Sequence, residues 1–226
     1  MGNHKAVNLA QQFLKKNKYV LKGDISSYFP SIDQDTLIKI IEKQITDCRT
    51  LDLIKKIIYS YHSEKGTFKG LPIGNLTSQL FANIYLTELD YYIDNIAGKN
   101  HHIRYLDDWL VFAQTKESLN IIKTEIQKYL KKDLELEWKN KKTILTPTVR
   151  GITFLGFVIK HNKRKIKRES FITTVRNLKA IKKQVIIGTK TPLQFQQSWA
   201  SWLGHVEHAK SLSLVRSVEN LILTSA

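Results

Sequence analysis

Cysteine is nearly absent from this chain of 226 residues, which carries one, Cys48. A single thiol excludes an intrachain disulfide and a cysteine zinc cluster, and it suits a reducing compartment, so the cytoplasm is the expected location. Proline is scarce, with four residues, and no apolar run approaches the roughly 20 residues of a membrane span. Met1-Gly2-Asn3-His4-Lys5 opens no signal-peptide stretch. Neither export nor a membrane partner is expected. Acid is the other deficit. Twenty Asp and Glu stand against 36 Lys and Arg, giving a net charge of +16 and a pI near 9.8. Such an imbalance points to a polyanionic partner. Apolar content of 42% at this length supports a substantial core.

The positive charge is concentrated. Between Lys160 and Lys190 there are eleven Lys or Arg residues and one acid, Glu169. A solvated lysine-rich surface is the plain alternative, but so much uncompensated charge repels itself and favours contact with phosphates. The expected nucleic-acid-binding residues are Lys160, Lys163, Arg164, Lys165, Lys167, Arg168, Lys179, Lys182 and Lys183.

Few as they are, the acids include one conspicuous pair. Tyr105-Leu106-Asp107-Asp108 lies between the apolar runs Ile103-Arg104-Tyr105 and Trp109-Leu110-Val111-Phe112-Ala113. Two apolar runs around a tight polar break read as a β-hairpin with adjacent carboxylates at its tip. Adjacent carboxylates repel and are costly to desolvate, so the tip is either a solvated turn or a divalent-metal site. Upstream, Tyr19-Val20-Leu21-Lys22-Gly23-Asp24-Ile25 reads as a buried strand delivering Asp24 near its end. Two-metal phosphoryl transfer requires carboxylates from separate parts of the chain to converge, because each Mg²⁺ takes only one or two of them. One acid on a strand end and two on a hairpin tip meet that count. A third element, Gly70-Leu71-Pro72-Ile73-Gly74-Asn75, reads as a loop whose Asn75 is a fair N-cap for a long apolar-periodic stretch through about Ile96.

The remaining pattern predicts helices over Ala6 to Lys16, Asp35 to Thr46, Leu51 to Tyr61 and Lys116 to Leu130. Asp33 and Asp35 read as helix caps. Ile152, Phe154, Phe157 and Ile159 give a strand pair turning near Asn162, followed by helices. This order predicts an α+β fold, an antiparallel sheet with helices covering one face. Trp199 and Trp202, at i, i+3 spacing, read as core.

Taken in order, the Asp24 strand with Phe29 five residues on, the Ile73-Gly74 loop with Ser78-Gln79, and Tyr105-Leu106-Asp107-Asp108 resemble the palm of a reverse transcriptase. Leu136 to Thr143 and Phe154-Leu155-Gly156-Phe157 resemble the late palm segments of that family. The resemblance implies a right-hand polymerase with a palm over 1–159 and a helical basic thumb over 160–226. It implies two Mg²⁺ ions, replaceable by Mn²⁺, held by Asp24, Asp107, Asp108 and the backbone of Ile25. It also implies Lys142 as proton donor to pyrophosphate, with Lys139 and Lys141 as competitors. Phe29 matches the position whose bulk excludes a ribose 2′-hydroxyl, a core aromatic being the alternative, and Ile73, Gly74, Ser78, Gln79 and Tyr105 complete the nucleotide site. The implied partners are dNTPs, a template RNA and its nascent cDNA. Most of the family has Gln and Pro where this chain has Ile73 and Gln79. The latter pair resembles the enzymes of diversity-generating retroelements, which act with a small basic accessory protein. Group II intron, retron and phage-defence enzymes share the chemistry, and an RNA-binding remnant is the non-catalytic alternative. By the same resemblance a fingers region precedes the first strand, and only some 23 residues precede Asp24, so the expectation is a truncated, split or partly recorded enzyme.

Overall fold

The structure is a computed structural model describing residues 2–223 apart from 65, 100, 140–142 and 210–211. Its helices are α1 (Asn3–Lys16), α2 (Tyr28–Ser31), α3 (Gln34–Glu42), α4 (Cys48–Tyr59), α5 (Leu76–Tyr85), α6 (Thr87–Ala97), α7 (Lys116–Asp133), α8 (Arg168–Ile186), α9 (Pro192–Glu207) and α10 (Leu212–Leu223). The strands are β1 (Tyr19–Gly23), β2 (His102–Tyr105), β3 (Asp108–Ala113), β4 (Ile144–Pro147), β5 (Ile152–Phe154), β6 (Phe157–Ile159) and β7 (Arg164–Ile166). Contacts divide the chain into two units, Phe13–Pro147 and a second made of Gly2–Gln12 with Thr148–Ala226. This division does not coincide with the expected boundary at Lys160, because β5, β6 and β7 pair among themselves as a separate sheet.

The first unit is built on an antiparallel sheet ordered β2-β3-β1-β4. Gly23 pairs with Trp109, Leu21 with Val111 and Tyr19 with Ala113. Period-two alternation then sorts the side chains by face. Leu21, Trp109 and Val111 join a buried cluster with Leu37, Ile41, Phe81, Tyr85, Leu89, Ile93, Ile122 and Ile126 from α3, α5, α6 and α7. The alternate positions Val20, Leu110 and Phe112 are buried too, and Phe13 meets Phe112 edge-on at 5.4 Å. β4 was not anticipated. It is short and ends in Pro147 opposite Tyr19, which the edge of a sheet tolerates because no donor is needed on the outer side.

Asp33 caps α3, accepting the Thr36 backbone N–H at 2.8 Å. Asp35 instead accepts the Tyr59 hydroxyl at 2.6 Å, a bond that pushes the phenol up to about 12. The apolar stretch after Asn75 is two helices, not one, with the buried Leu86 between them; the break carries no Gly or Pro that would signal it. Gln34, fully buried at the start of α3, donates Nε2 to the carbonyls of Tyr61 (2.5 Å) and Gly70 (2.9 Å). Its own backbone N–H reaches the Phe68 carbonyl. The segment leading to Ile73 is therefore closed at its root.

In the second unit two hairpins replace the expected strand pair. One turns at Leu155-Gly156, where both residues have positive φ (47° and 82°), as the tightest hairpin turns require. The other turns at His161-Asn162. Arg164 in β7 donates to Gln11 (2.8 Å) and Asn8 (2.6 Å) of α1. Helices α8 to α10 bury Leu178, Trp202, Val206, Val218 and Ile222. Trp202 lies in this small core with Trp199 packed beside it, ring centroids 5.1 Å apart, as their spacing predicts.

Candidate active site

The turn joining β2 to β3 has two central residues, Leu106 and Asp107, between the paired Tyr105 and Asp108. Leu106 has φ 55°, a backbone region that residues with a Cβ seldom occupy and that surrounding contacts must hold. Arg104 supplies such a contact. Its Nη1 donates to the Leu106 carbonyl at 3.2 Å and to Asn83 Oδ1 at 3.2 Å. Its Nε and Nη2 grip the Asp90 carboxylate of α6 at 2.8 and 2.6 Å, a charge-assisted fork. Burial alone would raise the Asp90 carboxyl, but hydrogen bonds from His102 and Arg104 outweigh it and hold the group below its usual range. Nearby, the buried Tyr28 donates to the Ala82 carbonyl at 2.5 Å. Burial pushes its phenol well up, so it stays a neutral donor.

Asp24 immediately follows β1. Since Gly23 faces Trp109, one further step along the antiparallel register brings Asp24 level with Asp108. Its backbone is held from the other side, where Lys139 N–H donates to the Asp24 carbonyl (3.0 Å) and Ser26 N–H to the Glu137 carbonyl (2.9 Å). Between these bonds Ile25 bridges to Trp138, and neither bond uses the Ile25 carbonyl. Lys22, on the same face of β1 as Asp24 by alternation, places Nζ 3.0 Å from Asp108 Oδ1. The two acids of the hairpin thus differ: Asp108 has a lysine counter-charge, and Asp107 occupies the turn itself.

Among the described residues no three His, Cys, Asp or Glu side chains form a metal cluster. The donor set still suits Mg²⁺, which prefers hard carboxylate oxygens and usually takes only one or two from a protein, completing its shell with water and substrate phosphate. Asp24, Asp107 and Asp108 are the carboxylates that would supply those oxygens.

Residues 3–159 match the family described as reverse transcriptase (RNA-dependent DNA polymerase). The chain belongs to the reverse transcriptase family. Its similar proteins include Protein YkfC of Escherichia coli K12, 26% identical over 201 residues, covering 73% of this chain and 53% of that protein. They also include the group II intron-encoded protein LtrA of Lactococcus lactis subsp. cremoris, 23% identical over a 300-residue alignment, covering 98% of this chain and 49% of that one. This reverse transcriptase chain spans about half the length of the curated relatives it matches. In fold it is similar to apo telomerase from Candida tropicalis, with a TM-score of 0.58 at 16% identity over 97% of this chain and 44% of that one.

The other residues singled out in this reverse transcriptase sequence fall in several settings. Phe29 is half-buried on α2 against the core and edge-on to Tyr28 at 5.7 Å. Tyr105 is half-buried. Ile73 is 78% exposed; Gly74, at φ 101° with open space around it, and Gln79 are also at the surface, while Ser78 turns inward. Lys141 and Lys142 lie outside the described residues. The basic segment is not uniform. Lys163, Lys165, Arg168 and Lys183 are exposed, and Lys160 and Lys179 partly so. Arg164 is tied to α1, Lys167 pairs with Glu169, and Lys182 donates to the Ile222 carbonyl at 2.8 Å. Arg164 and Lys182 thus bond within their own unit, and Lys167 forms a surface pair with Glu169. Sequence reasoning missed Arg104, Asp90 and Lys22. Only Lys22 left a trace, through its two-residue spacing from Asp24.

Proposed function

We propose that this chain works as the palm and thumb of an RNA-directed DNA polymerase, copying a template RNA into cDNA from dNTPs in the cytoplasm. The observation that carries the reading is the register of β1 on β3, which brings Asp24 level with the Tyr105–Asp108 hairpin from a separate part of the chain. Asp24 and Asp107 would hold the metal ions, with Asp108 assisting the first and the Ile25 backbone beside them. When bound, two Mg²⁺ (or Mn²⁺) lower the pKa of the primer hydroxyl and offset the charge of the triphosphate. The protein's own share is to fix the two acids, to keep Asp108 against Lys22, and to present Phe29 where a 2′-hydroxyl would collide. Lys142, or Lys139 or Lys141 in its place, would return a proton to pyrophosphate. Tyr105, Gly74, Ser78 and Gln79 would shape the nascent pair, and the exposed cations of β7 and α8 would follow the template–primer backbone.

Within the family the pattern Ile73-Gly74 with Ser78-Gln79 supports a diversity-generating retroelement enzyme with a basic accessory protein. The similarity to LtrA supports the group II intron reading as second. Ile73 separates them by chemistry, since an aliphatic side chain lacks the hydrogen bonds a Gln can offer near the nascent pair. Primer extension with an RNA template, comparing wild type, Asp107→Ala and Ile73→Gln, tests both levels. In a complete enzyme carrying this palm, Asp107→Ala and Asp24→Ala should lower Mg²⁺-dependent synthesis by at least about 10³-fold while RNA binding persists. Ile73→Gln should raise fidelity, chiefly opposite template adenines. Retained synthesis in Asp107→Ala would sink the metal-site assignment, whereas wild type that binds RNA without extending a primer would favour the RNA-binding remnant. Identical error spectra would remove the retroelement reading.

A further inference from the structure

We infer that Trp109, seated against Gly23 and edged by Trp138, is a positioning residue that sets Asp24 relative to the Tyr105–Asp108 turn; the inference rests on the polymerase reading above. Gly23 is the last residue of β1, buried, and directly opposite Trp109. A Cβ built on Gly23 would overlap the six-membered ring of Trp109, 1.8 to 2.3 Å from Cζ2, Cε2 and Cη2. The indole therefore fills the volume that any side chain at position 23 would take. Gly23 is not among the residues with positive φ, so glycine is required here for space rather than for backbone conformation.

Trp109 is fully buried, and its Nε1 has no hydrogen-bond partner among the described residues. A leucine or phenylalanine would serve a core without stranding that donor. The shape of the indole is what the position uses. Its other neighbour is Trp138, edge-on with centroids 4.8 Å apart and planes at 74°. Trp138 faces Ile25, and the bonds on either side of it hold Asp24 and Ser26. Asp24 is thus bracketed. The residue before it lies on one indole, the residue after it lies opposite the other, and the indoles touch. Because Trp109 is bonded directly to Asp108, one stacked unit spans both sources of carboxylate. The Trp138 indole also donates to Thr143 Oγ1. Displacing a reacting group by about 1 Å can cost on the order of 10²-fold in rate. A buried aromatic pair resists such displacement.

The test uses the full chain and four variants: Gly23→Ala, which drives a methyl into the indole; Trp109→Leu, which vacates the space; their double; and Trp138→Leu. Three quantities are read: Mn²⁺ bound by the protein without nucleic acid, from the electron paramagnetic resonance of free Mn²⁺; the Mg²⁺ half-saturation of primer extension; and the thermal melt. Gly23→Ala should weaken Mn²⁺ binding and raise the Mg²⁺ half-saturation by about fivefold or more, with kcat falling further than KM for dNTP rises. The double variant should recover most of the metal affinity that Gly23→Ala loses. Trp138→Leu should shift both metal constants in the same direction, and it decides the matter should Gly23→Ala fail to fold. Variants that melt lower yet keep wild-type metal constants, or a double no better than Gly23→Ala, would reduce the pair to core packing and overturn the inference. Wild-type protein that neither binds Mn²⁺ nor extends a primer would overturn the polymerase reading itself, and the positioning role with it.

Discussion

The two units of this molecule build their helical cores on different scales. Around the β2-β3-β1-β4 sheet a continuous cluster runs from Leu21 to Leu136 and draws on six helices, α2 to α7. In the second unit α8, α9 and α10 share a small core around Leu178, Trp202, Val206, Val218 and Ile222, beside the buried Ile152, Phe154, Phe157 and Ile159 of its own sheet. The difference matches the proposed division of labour. Carboxylates that share metal ions must be held in place before substrate arrives, and a thick core does that. A unit that follows a long polyanion gains from shallow packing, which lets local segments adjust.

Arg104 offers the most forceful way to break the first unit. Arg104→Ala leaves the Asp90 carboxylate, 27% exposed, without its fork and frees the Leu106 turn. The expected loss is about 2–3 kcal/mol, below the ~3–5 of a wholly buried broken pair. Thermal melting of the variant, with the second unit's signal as internal control, measures it. The acid limb should move too. Asp90 is held below 3.8 in the fold, so its contribution is complete above the ordinary carboxylate pKa and disappears as pH falls through the lowered value. Arg104→Ala should flatten stability against pH below about 4, and an unchanged limb would mean that other acids govern it.

A smaller effect sharpens the contrast from the other side. Neutralising Lys163, Lys165, Lys179 and Lys183 together should weaken RNA binding for all sequences alike and flatten the slope of log K against log salt by roughly 0.7 to 0.9 per lost phosphate contact. Melting should hardly change. Arg164→Ala should do the reverse, loosening the second unit through the lost bonds to Asn8 and Gln11 with little change in salt slope. If Arg164→Ala shifts the slope as strongly as the lysines do, the partition of cations is wrong.

The smallest effect is a difference in acid sensitivity. His4 stacks on His208 with centroids 3.5 Å apart, and His205 lies nearby. Burial first, then the neighbouring imidazoles, holds His4 and His205 below the ordinary 6.5. The unfolded chain therefore binds protons more readily, and stability present above 6.5 declines as pH falls below it. Between pH 6.5 and 5 the second unit should melt a few degrees lower while the first holds. His4→Gln should abolish the difference, and parallel decline of both units would discount the cluster.

Much of this arrangement was legible from local pattern. The Tyr105–Asp108 hairpin, the β1 strand ending at Asp24 and the Asp33 cap all follow from period and turn chemistry, which act over a few residues. What escaped depends on partners far away in the chain. Lys22 and Asp108 meet only because of the register of β1 on β3, and Arg104 finds Asp90 across the hairpin and α6. The β4 strand is four residues ending in proline, too short to show a period. Arg164, Lys167 and Lys182 each have a partner within the second unit, which composition, recording charge alone, does not show. The turn at Leu155-Gly156 hid inside an apolar run that looked like one continuous strand.

Gln34 has a consequence for chain entropy rather than for contact energy. With its side-chain amide holding the carbonyls of Tyr61 and Gly70 together, the residues between them form a ring whose closure is settled at its base. The cost of closing a ring grows only with the logarithm of its length, about 0.6 kcal/mol for each doubling. Extra residues near Gly66, where nothing lies within 4 Å of the position a Cβ would take, would therefore add slack without lengthening the path that the chain must follow from Gly70 into α5. One buried amide makes the length of the loop above it nearly independent of the geometry below.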